Sequence, residues 1–301
     1  GDSTSPELTP SDTGVILSTG NAVDVTNATG DVNALDWKST NHGTSGDSDL
    51  SSVSGQATYD AAVFEAEFVP QGSILTMQIV FSSEEYLEYV NSGFNDAVGI
   101  WVNGVQAELT VGTGDISIDN INTGSNENLY LDNARSEDTY NTEMDGFTVT
   151  LTLKAPVNAG ANNTIKIGIA DGGDGVYDSN LLIAGDSVQT ALVAGDDDIS
   201  VRIGQEVDVD VLANDQSASG GLLTITPVNG QPVVVGDTIT LPSGEMIELS
   251  ENGIVLATAN IEAAENVFTY TVQDENGNSD IGFVTLTTTP CFRSEEHTSE
   301  L

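Results

Sequence analysis

Short stretches in which hydrophobic and polar residues alternate recur along the chain, and this two-residue period limits its fold more than any other feature. The clearest are AAVFEAEFVP (61–70), GFTVTLTLKAP (146–156) and NNTIKIGIAD (162–171), while SILTMQIVFS (73–82) is almost continuously apolar. Successive strand residues point to opposite faces, so the period predicts β-strands, which glycine, asparagine, aspartate and proline separate by turns. No long segment has a helical period, and EEYLEYV (84–90) predicts two helical turns at most.

Strands joined by turns, without helices between them, predict an all-β chain of two β-sandwich domains. The first domain, residues 1–194, is expected to be the larger, a jelly-roll-like sandwich with long loops rich in glycine, asparagine and aspartate. The second, residues 195–289, has shorter and more closely spaced strands, about seven of them, as in an Ig-like sandwich. We place the linker near Ala194–Asp198.

The charge of the chain is strongly negative and excludes several classes of partner. There are 47 aspartates and glutamates against 6 lysines and arginines, a formal net charge of −41 over 301 residues. Such a field repels nucleic acid and anionic membrane surfaces. With 38% hydrophobic residues, the chain can form real cores and is not a disordered acidic tail. The acids either solvate the surface, as in halophiles, or bind divalent cations through their oxygen atoms.

Cysteine content and hydropathy limit which cross-links and membrane segments the chain can have. The single cysteine, Cys291, excludes an intrachain disulfide and a cysteine-based zinc site, which leaves calcium as a means of rigidifying a secreted protein. No run of about 18 apolar residues occurs, so we expect no membrane insertion. No signal-peptide pattern begins at Gly1. If the chain is secreted, we expect its export signal to lie outside this sequence, either before Gly1 or beyond the C-terminal end.

Five stretches of the first domain carry a resemblance to a known family. In chain order they are GVILSTGNA, YDAAVFEAEFVP, FSSEEYLEYVNSGFNDAVGIWVNG, YNTEMDGFTVTLT and IGIADGGDGVYDSNLLI. Together they cover about Thr13–Ser187 and resemble the choice-of-anchor L family of bacterial surface proteins. The resemblance implies a secreted or surface-anchored β-sandwich without established catalytic activity. Members usually have a further strand or two before GVILSTG, so it also implies that Gly1 is a truncated start.

The second domain carries a different resemblance. The stretch DDDISVRIGQEVDVDVLANDQSASGGLLTITPVNGQP and the closing strands VFTYTVQDENGNSDIGFVTLT resemble the cadherin-like or Ig-like tandem repeat of large bacterial adhesins. VDVLAND is the most specific part, and one repeat is present. The resemblance implies a structural or adhesive role.

The end of the chain departs from the strand pattern. TTTPCF resembles the junction at which a Hedgehog/intein (Hint) autoprocessing domain begins, with Cys291 as the nucleophile that attacks the preceding carbonyl and forms a thioester. The histidine and asparagine partners of such a domain are absent. Residues 293–301 (RSEEHTSEL) resemble a translated sequencing adaptor. On this interpretation residues 290–292 start a missing Hint domain, 293–301 are an artefactual tail, and the chain is the N-terminal part of an autoprocessing precursor.

Two acidic loops of the first domain are candidates for a metal site. SSEEYLEYVNSGFND and ADGGDGVYDSN each follow one strand and precede the next, and loops that follow strands of the same direction emerge at one end of a sandwich. We predict a calcium site built from Glu85, Asp96, Asp171 and Asp178, with Glu84, Glu88, Asn95 and Asp174 nearby. The alternative is that these residues form turns and caps or solvate the surface.

A second candidate lies at the linker. Asp197 belongs to the run Asp196–Asp198, and Asp215 follows a strand of the second domain. A calcium ion held there would rigidify the linker, as cadherin-like modules do. The alternative is a charged flexible linker, with an ordinary hairpin turn at Asn276–Gly277.

Neither catalysis nor ligand recognition has a strong sequence signal. His42 is the one histidine outside the tail and lies in a polar loop, and no hydrolase, metalloprotease or phosphate-loop motif occurs, so we expect no enzyme. Trp37, Trp101, Tyr86 and Tyr89 are candidates for stacking on a glycan, with Trp101 expected in the core and Trp37 at the surface. We therefore expect a calcium-stabilised, non-catalytic structural or adhesive module, whose partner is a surface glycan or protein. A glycan-binding module is the alternative.

Overall fold

Two antiparallel sheets form the first half of the chain in the computed structural model, which describes residues 11, 13–26, 33–107, 115–135, 140, 142–251, 253–257 and 263–290. The strands are β1 Gly14–Ser18, β2 Thr58–Phe68, β3 Ile74–Ser83, β4 Ala97–Val102, β5 Val105–Gln106, β6 Ile116–Ser117, β7 Tyr130–Asp132, β8 Gly146–Thr148, β9 Leu151–Pro156, β10 Asn163–Gly172 and β11 Ser179–Ala184. Short 3-10 helices span Ala22–Val25 and Glu127–Leu129.

These strands pack as a sandwich. The first sheet has the order β1-β11-β3-β8-β7, with β9 also paired to β3, and the second has the order β2-β10-β4-β5, with β6 also paired to β4. Between them lies one apolar core, to which β3 contributes Ile79 and Phe81 and β10 contributes Ile167 and Ile169. In β10 the inward residues Ile165, Ile167 and Ile169 are the ones that the two-residue period marks.

A β-bulge interrupts the stretch at 146–156. The alternation of Phe147, Val149 and Leu151 predicts that all three share one face, and this prediction is wrong for Phe147. Ser82 pairs with Phe147 and Ile79 with Leu151, so four steps on one strand match three on the other. The extra residue reverses the side-chain alternation, as bulges do. Phe147 therefore packs on the outer face of the first sheet, against Val25, Val80 and Leu182, while Val149 and Leu151 lie in the core.

One helix was not predicted from the sequence. Helix α1, Ser48–Ser54, begins after Asp47, whose side chain accepts hydrogen bonds from the backbone amides of Asp49 and Leu50. It ends at Gly55, which has a φ of 75°. It is seven residues long with one fully buried leucine, Leu50, so it has too few apolar positions to show a helical period. Residues 84–93, by contrast, form successive turns and no helix.

The second half of the chain forms a smaller sandwich. Its strands are β12 Leu192–Val193, β13 Asp197–Arg202, β14 Glu206–Val209, β15 Gln216–Ser217, β16 Leu223–Val228, β17 Gln231–Pro232, β18 Thr238–Thr240, β19 Met246–Ser250, β20 Gly253–Ala257, β21 Ala264–Asp274 and β22 Ser279–Thr289. One sheet has the order β13-β22-β21-β16-β17, with β13 parallel to β22, the other has the order β14-β20-β19-β18, and β12 pairs with β15. The predicted fold class, two β-sandwich domains, is confirmed.

Strand β19, Met246–Ser250, was not among the strands predicted for this domain from the sequence. Two buried residues, Ile247 and Leu249, alternate in it with the exposed Met246 and Glu248. Two apolar positions are too few to stand out in a single sequence.

The two sandwiches share an apolar and hydrogen-bonded junction. Phe283, from β22, is fully buried in the core cluster of the first sandwich. Asp280 accepts a hydrogen bond from the Thr152 hydroxyl of the first sandwich at 2.7 Å and from the backbone amide of Ala194 at 2.9 Å. The Gln78 amide donates to the carbonyl of Ser279 at 3.0 Å. The linker is hydrogen-bonded to both sandwiches, because Ala194 donates to Asp280 of the second and the Lys154 amine of the first donates to Asp196.

Candidate metal centre

The two acidic loops meet at one end of the first sandwich. Strand β3 ends beside the start of β11, where Ser83 pairs with Ser179. Strand β10 ends beside the start of β4, where Ala170 pairs with Ala97. Each loop leaves one sheet and enters the other, so the loop before β4 and the loop before β11 lie together.

Asp96 is the residue through which the loops are connected. Its side chain is fully buried. One carboxylate oxygen, Oδ1, accepts a hydrogen bond from the backbone amide of Gly172 at 2.8 Å, and the other, Oδ2, accepts from the hydroxyl of Ser179 at 2.6 Å. Gly172 belongs to the second sheet and Ser179 to the first, so the carboxylate joins the two sheets.

Three further acids at this end carry a buried carboxylate oxygen that has no hydrogen-bond partner. They are Glu85, Asp171 and Asp178, with Oε2, Oδ1 and Oδ2 respectively lacking a partner, and their side chains are 1%, 2% and 3% exposed. The ion pairs of the described residues all involve other acids. Burying an acceptor without a partner costs about 1–3 kcal/mol, and more when it is charged, so this end of the domain lacks a compensating positive charge.

The pKa values of these acids follow from the same arrangement. Burial, with the nearby charge of Asp96 second, raises the pKa of Glu85 to about 9 and that of Asp171 to about 10. Burial raises the pKa of Asp96 to about 8, although its hydrogen bonds from Ser179 and Gly172 act in the opposite direction. Burial also raises the pKa of Asp178, and the backbone amide of Thr40 partly offsets it. Glu85, Asp96 and Asp171 are therefore protonated at neutral pH unless a positive charge lies beside them.

Other residues predicted beside this site are exposed or form local hydrogen bonds. Glu88 is exposed, the side-chain oxygen of Asn95 accepts from the amide of Asp119 at 3.2 Å, and Asp174 accepts from the amide of Val176 at 3.0 Å in a local turn. Glu84 has different neighbours from Glu85, because successive residues point to opposite sides of the strand end. Burial, followed by the charge of Asp145, raises the pKa of Glu84 to about 9.

The acids do not form a finished cage. In the part of the chain that the structure describes, no group of three aspartate, glutamate, histidine or cysteine side chains converges as metal ligands. Asp96 is a charged neighbour of Glu85 and of Asp171, but the four acids do not meet at one point. Coordination there would also draw on hydroxyl, amide or backbone oxygens, as calcium sites commonly do.

Comparison with known families agrees with the architecture. The family model of the choice-of-anchor L domain matches residues 3–189. The chain belongs to the choice-of-anchor L family. A bacterial Ig domain model matches residues 189–287, so an Ig domain follows the choice-of-anchor L domain. The predicted order of the two domains is confirmed, and they place the chain among non-catalytic modules of the cell surface.

Comparisons with curated proteins and with solved structures give no further information on function. No curated protein matches the chain. The solved structure of the M60 catalytic domain with the CBM51-1 and CBM51-2 domains from Clostridium perfringens ZmpB aligns with 78% of this chain and 19% of its own, at 10% identity and a TM-score of 0.21. The chain spans about a fifth of that structure's length, and the TM-score is too low to support an argument. Within the described residues no helix has the length and hydropathy needed to cross a bilayer.

The predicted linker acids come together where the choice-of-anchor L domain joins the Ig domain. Asp215 accepts hydrogen bonds through Oδ1 from the amide of Gly195 at 2.7 Å and from the hydroxyl of Tyr270 at 2.9 Å. Asp197 accepts from the Asn214 amide at 3.3 Å, and Oδ2 of both aspartates is buried without a partner. Burial raises the pKa of each aspartate to about 6.

The aromatic candidates fall into different environments. Trp37 is 60% exposed, which confirms its predicted surface position. Trp101 is not in the core, contrary to the prediction. Its ring lies across Gly99 on the outer face of the second sheet, where a Cβ atom at Gly99 would lie 2.1 Å from the ring, and the Lys166 amine lies 5.0 Å from the ring centroid. Tyr86 is buried against Tyr130 and presents no surface to a ligand.

The remaining candidates have no catalytic setting. His42 is exposed, and its Nε2 lies 3.1 Å from the carbonyl oxygen of Gly20, which is a loop contact. Cys291 and the tail at 293–301 lie outside the described residues. The sequence signal for the site was the pair of acidic loops. Four residues close to Glu84 or to its neighbours were not predicted, because they come from segments far apart in the chain. They are Asn33, Asn133, Asp145 and Asn180.

Proposed function

We propose that this chain is an extracellular or cell-surface structural and adhesive module, and that calcium stabilises its choice-of-anchor L domain at the end where the two acidic loops meet. The observation that carries the proposal is the set of buried carboxylate oxygens of Glu85, Asp171 and Asp178 that have no partner around Asp96. None of these acids forms an ion pair with a lysine or arginine among the described residues. A cation supplies the missing charge.

The chemistry of the ligands favours calcium among divalent cations. Calcium accepts six to eight oxygen ligands at about 2.3–2.6 Å in flexible geometry, whereas magnesium requires a near-ideal octahedron and keeps several waters. The four acids come from two loops and do not converge as a rigid cage. Small movements of the loops would bring carboxylate and backbone oxygens to a large, tolerant ion. Binding would then tie together the ends of β3, β4, β10 and β11.

The junction with the Ig domain supports a structural role. Buried apolar contact through Phe283 and hydrogen bonds through Asp280 join the domains, so the pair behaves as one stiff unit. A stiff, highly charged unit suits a stalk or presenting module at a cell surface. The ligand of an adhesive role would be a surface protein or glycan.

Glycan binding is the second candidate, and one observation favours it. Trp37 is exposed and lies next to the acidic site. Its neighbour Lys38 accepts a hydrogen bond through the backbone carbonyl from the amide of Asp178 at 3.0 Å. An exposed indole offers a flat apolar face on which a sugar ring can stack. Trp37→Ala should abolish binding to any glycan that the wild-type chain retains on an array, with Tyr59→Phe as the control.

Thermal unfolding of the full chain tests the calcium proposal. The melting temperature is measured in EDTA, across a calcium titration, and across the same concentrations of magnesium. Binding to the folded state alone adds about 2.7 kcal/mol at a hundred times Kd, so we expect a rise that is selective for calcium. Asp171→Asn should remove most of that rise, whereas Asp186→Asn, which removes the same charge at an exposed position, should not. Equal shifts with both ions, or none, would overturn the proposal.

A further inference from the structure

A second set of buried oxygen atoms lies on the outer face of the first sheet, the face turned away from the core. On β3 the residue Ser82 pairs with Asn180 of β11 and with Phe147 of β8. Phe147 packs with the other apolar residues of this outer face. Glu84 lies two residues beyond Ser82, and Asp145 lies two residues before Phe147. Since the strands are antiparallel, Glu84 and Asp145 face each other one step past the last registered pair.

Three asparagines beside these acids have their amide nitrogens satisfied and their amide oxygens free. Asn33 donates to the carbonyl of Asn133 at 2.8 Å and to Oδ1 of Asp145 at 2.6 Å. Asn133 donates to the carbonyls of Thr142 and Met144 at 3.2 and 2.8 Å. Because these partners only accept, the orientation of both amides is fixed. The oxygens Oδ1 of Asn33 and Asn133 are buried without a partner.

Asn180 completes the pattern from the other side of β3. Its amide nitrogen lies 3.0 Å from the sulfur of Met144, the residue before Asp145, and its Oδ1 is buried without a partner. The side chains of Asn33, Asn133 and Asn180 are 0%, 0% and 1% exposed. Both oxygens of Glu84, which is 1% exposed, also lack a partner. The backbone amide of Lys38 lies near Glu84, but its geometry falls short of a hydrogen bond.

The unsatisfied oxygens of Glu84 and of the three asparagines are all acceptors, which restricts what can fill the set. The Ser82 hydroxyl on the same face is also buried without a partner, and it can donate to one of them. An anion would be repelled, and one water molecule donates only two hydrogen bonds against five free oxygens. None of the ion pairs among the described residues reaches Glu84 or Asp145. Two carboxylates balance the charge of one divalent cation, and neutral amide oxygens complete the shell of a hard cation such as calcium.

We propose that Glu84 and Asp145, with the amide oxygens of Asn33, Asn133 and Asn180, hold a second hard divalent cation of the calcium type. This outer-face site is built from other residues than the loop-end site, although Asp178 of the loop-end site is also a charged neighbour of Glu84. It does not depend on the function proposed above. The ion would connect β3, β8 and β11 to the segment that carries Asn33.

Counting bound calcium tests the two sites separately. The full chain and its variants are dialysed to equilibrium against buffered calcium, and bound metal is measured by atomic emission. Glu84→Gln, which keeps the shape of the side chain, should lose one equivalent relative to wild type. Asp171→Asn reports on the loop-end site in the same way, and the exposed Glu206→Gln is the control for loss of a charge.

Two outcomes overturn the outer-face site. If Glu84→Gln binds as much calcium as wild type, this inference fails, and Asp171→Asn alone decides the loop-end proposal. If wild type binds no calcium, both fail. Asn180→Asp guards against a variant that misfolds: a third carboxylate should lower the melting temperature in EDTA, and excess calcium should restore it. A melting temperature that stays equally low in calcium would also overturn the site.

Discussion

The hydroxyl of Ser179 donates a hydrogen bond of 2.6 Å to Oδ2 of Asp96 and so connects the two sheets of the choice-of-anchor L domain inside the protein. Ser179 begins β11 in the first sheet, and Asp96 directly precedes β4 in the second. The other oxygen of the same carboxylate accepts from Gly172. When Asp96 is ionised, each of its two oxygens accepts from one donor, and the two donors come from different sheets.

Replacing Ser179 with alanine should therefore destabilise the domain. The substitution leaves Oδ2 of Asp96 buried without a donor, a loss of about 1–3 kcal/mol in the free energy of unfolding. Chemical denaturation measures the change, and Ser200→Ala, at an exposed strand position of the Ig domain, is the control. Equal stability of S179A and wild type would contradict this role of the hydrogen bond.

The stability of the chain in EDTA should depend on pH with a defined sign. The folded pKa of Asp171 is raised to about 10 by burial, above its value of about 4 in the unfolded chain. Between these values the folded state binds more protons, so the contribution of Asp171 is complete below pH about 4 and is lost as pH rises toward 10.

Asp171→Asn isolates this effect from the general repulsion among acids, because asparagine does not titrate. The difference in unfolding free energy between wild type and D171N, measured in urea at pH 5, 7 and 9 with EDTA, should move against wild type as pH rises. Saturating calcium should reduce the trend, since a bound cation replaces the proton. A difference that moves in favour of wild type with rising pH would be inconsistent with a raised pKa.

Phe283→Ala should weaken the junction between the domains. Phe283 is fully buried, and it lies on an Ig-domain strand while packing in the core of the choice-of-anchor L domain. Removing a buried phenylalanine ring costs about 3–5 kcal/mol. Differential scanning calorimetry should then show the two domains unfolding at separate temperatures. Leu222→Ala, at a side chain that is 75% exposed, should leave the calorimetric profile unchanged. A single unshifted transition in F283A would show that the junction does not depend on this ring.

Tyr270→Phe should destabilise the Ig domain near the linker. The buried hydroxyl of Tyr270 lies within 2.8–3.0 Å of Oδ1 of Asp215 and of the carbonyls of Gly195 and Val211. Its removal takes away one of the two donors to Oδ1 of Asp215, the other being the amide of Gly195. We expect a loss of about 1 kcal/mol in urea denaturation. Tyr59→Phe, at a ring that is 41% exposed, is the matched control. An unfolding midpoint as high as that of wild type would refute this account.

The parts of the fold that could be predicted depend on residues that are close together in the sequence. The alternation in 162–171 and the apolar run in 73–82 became the central strands β10 and β3. Helix α1 escaped notice because one buried leucine carries its packing. The extra residue between β8 and β9 also escaped, because a bulge is defined by the partner strand, which the alternation of one strand does not contain.

The sequence indicated the acidic loops as a candidate metal site, but it did not indicate that Glu84 and Glu85 have different surroundings. Glu84 and Glu85 are adjacent and were assigned to one site, yet burial and strand alternation turn them to different partners. Asn33 meets Asp145 across 112 positions of the chain, and no local pattern relates them.

By itself the sequence determined the strand content, the order of the two domains and the strongly negative charge, because side-chain period, family motifs and composition are properties of local segments. Only the tertiary structure decided which acids are buried, which oxygens lack a partner, and that Asp145 faces Glu84. Those properties depend on strand register and on contacts between distant segments. Burial in turn sets the cost of each unpaired charge, and so it decides where a cation would stabilise the fold.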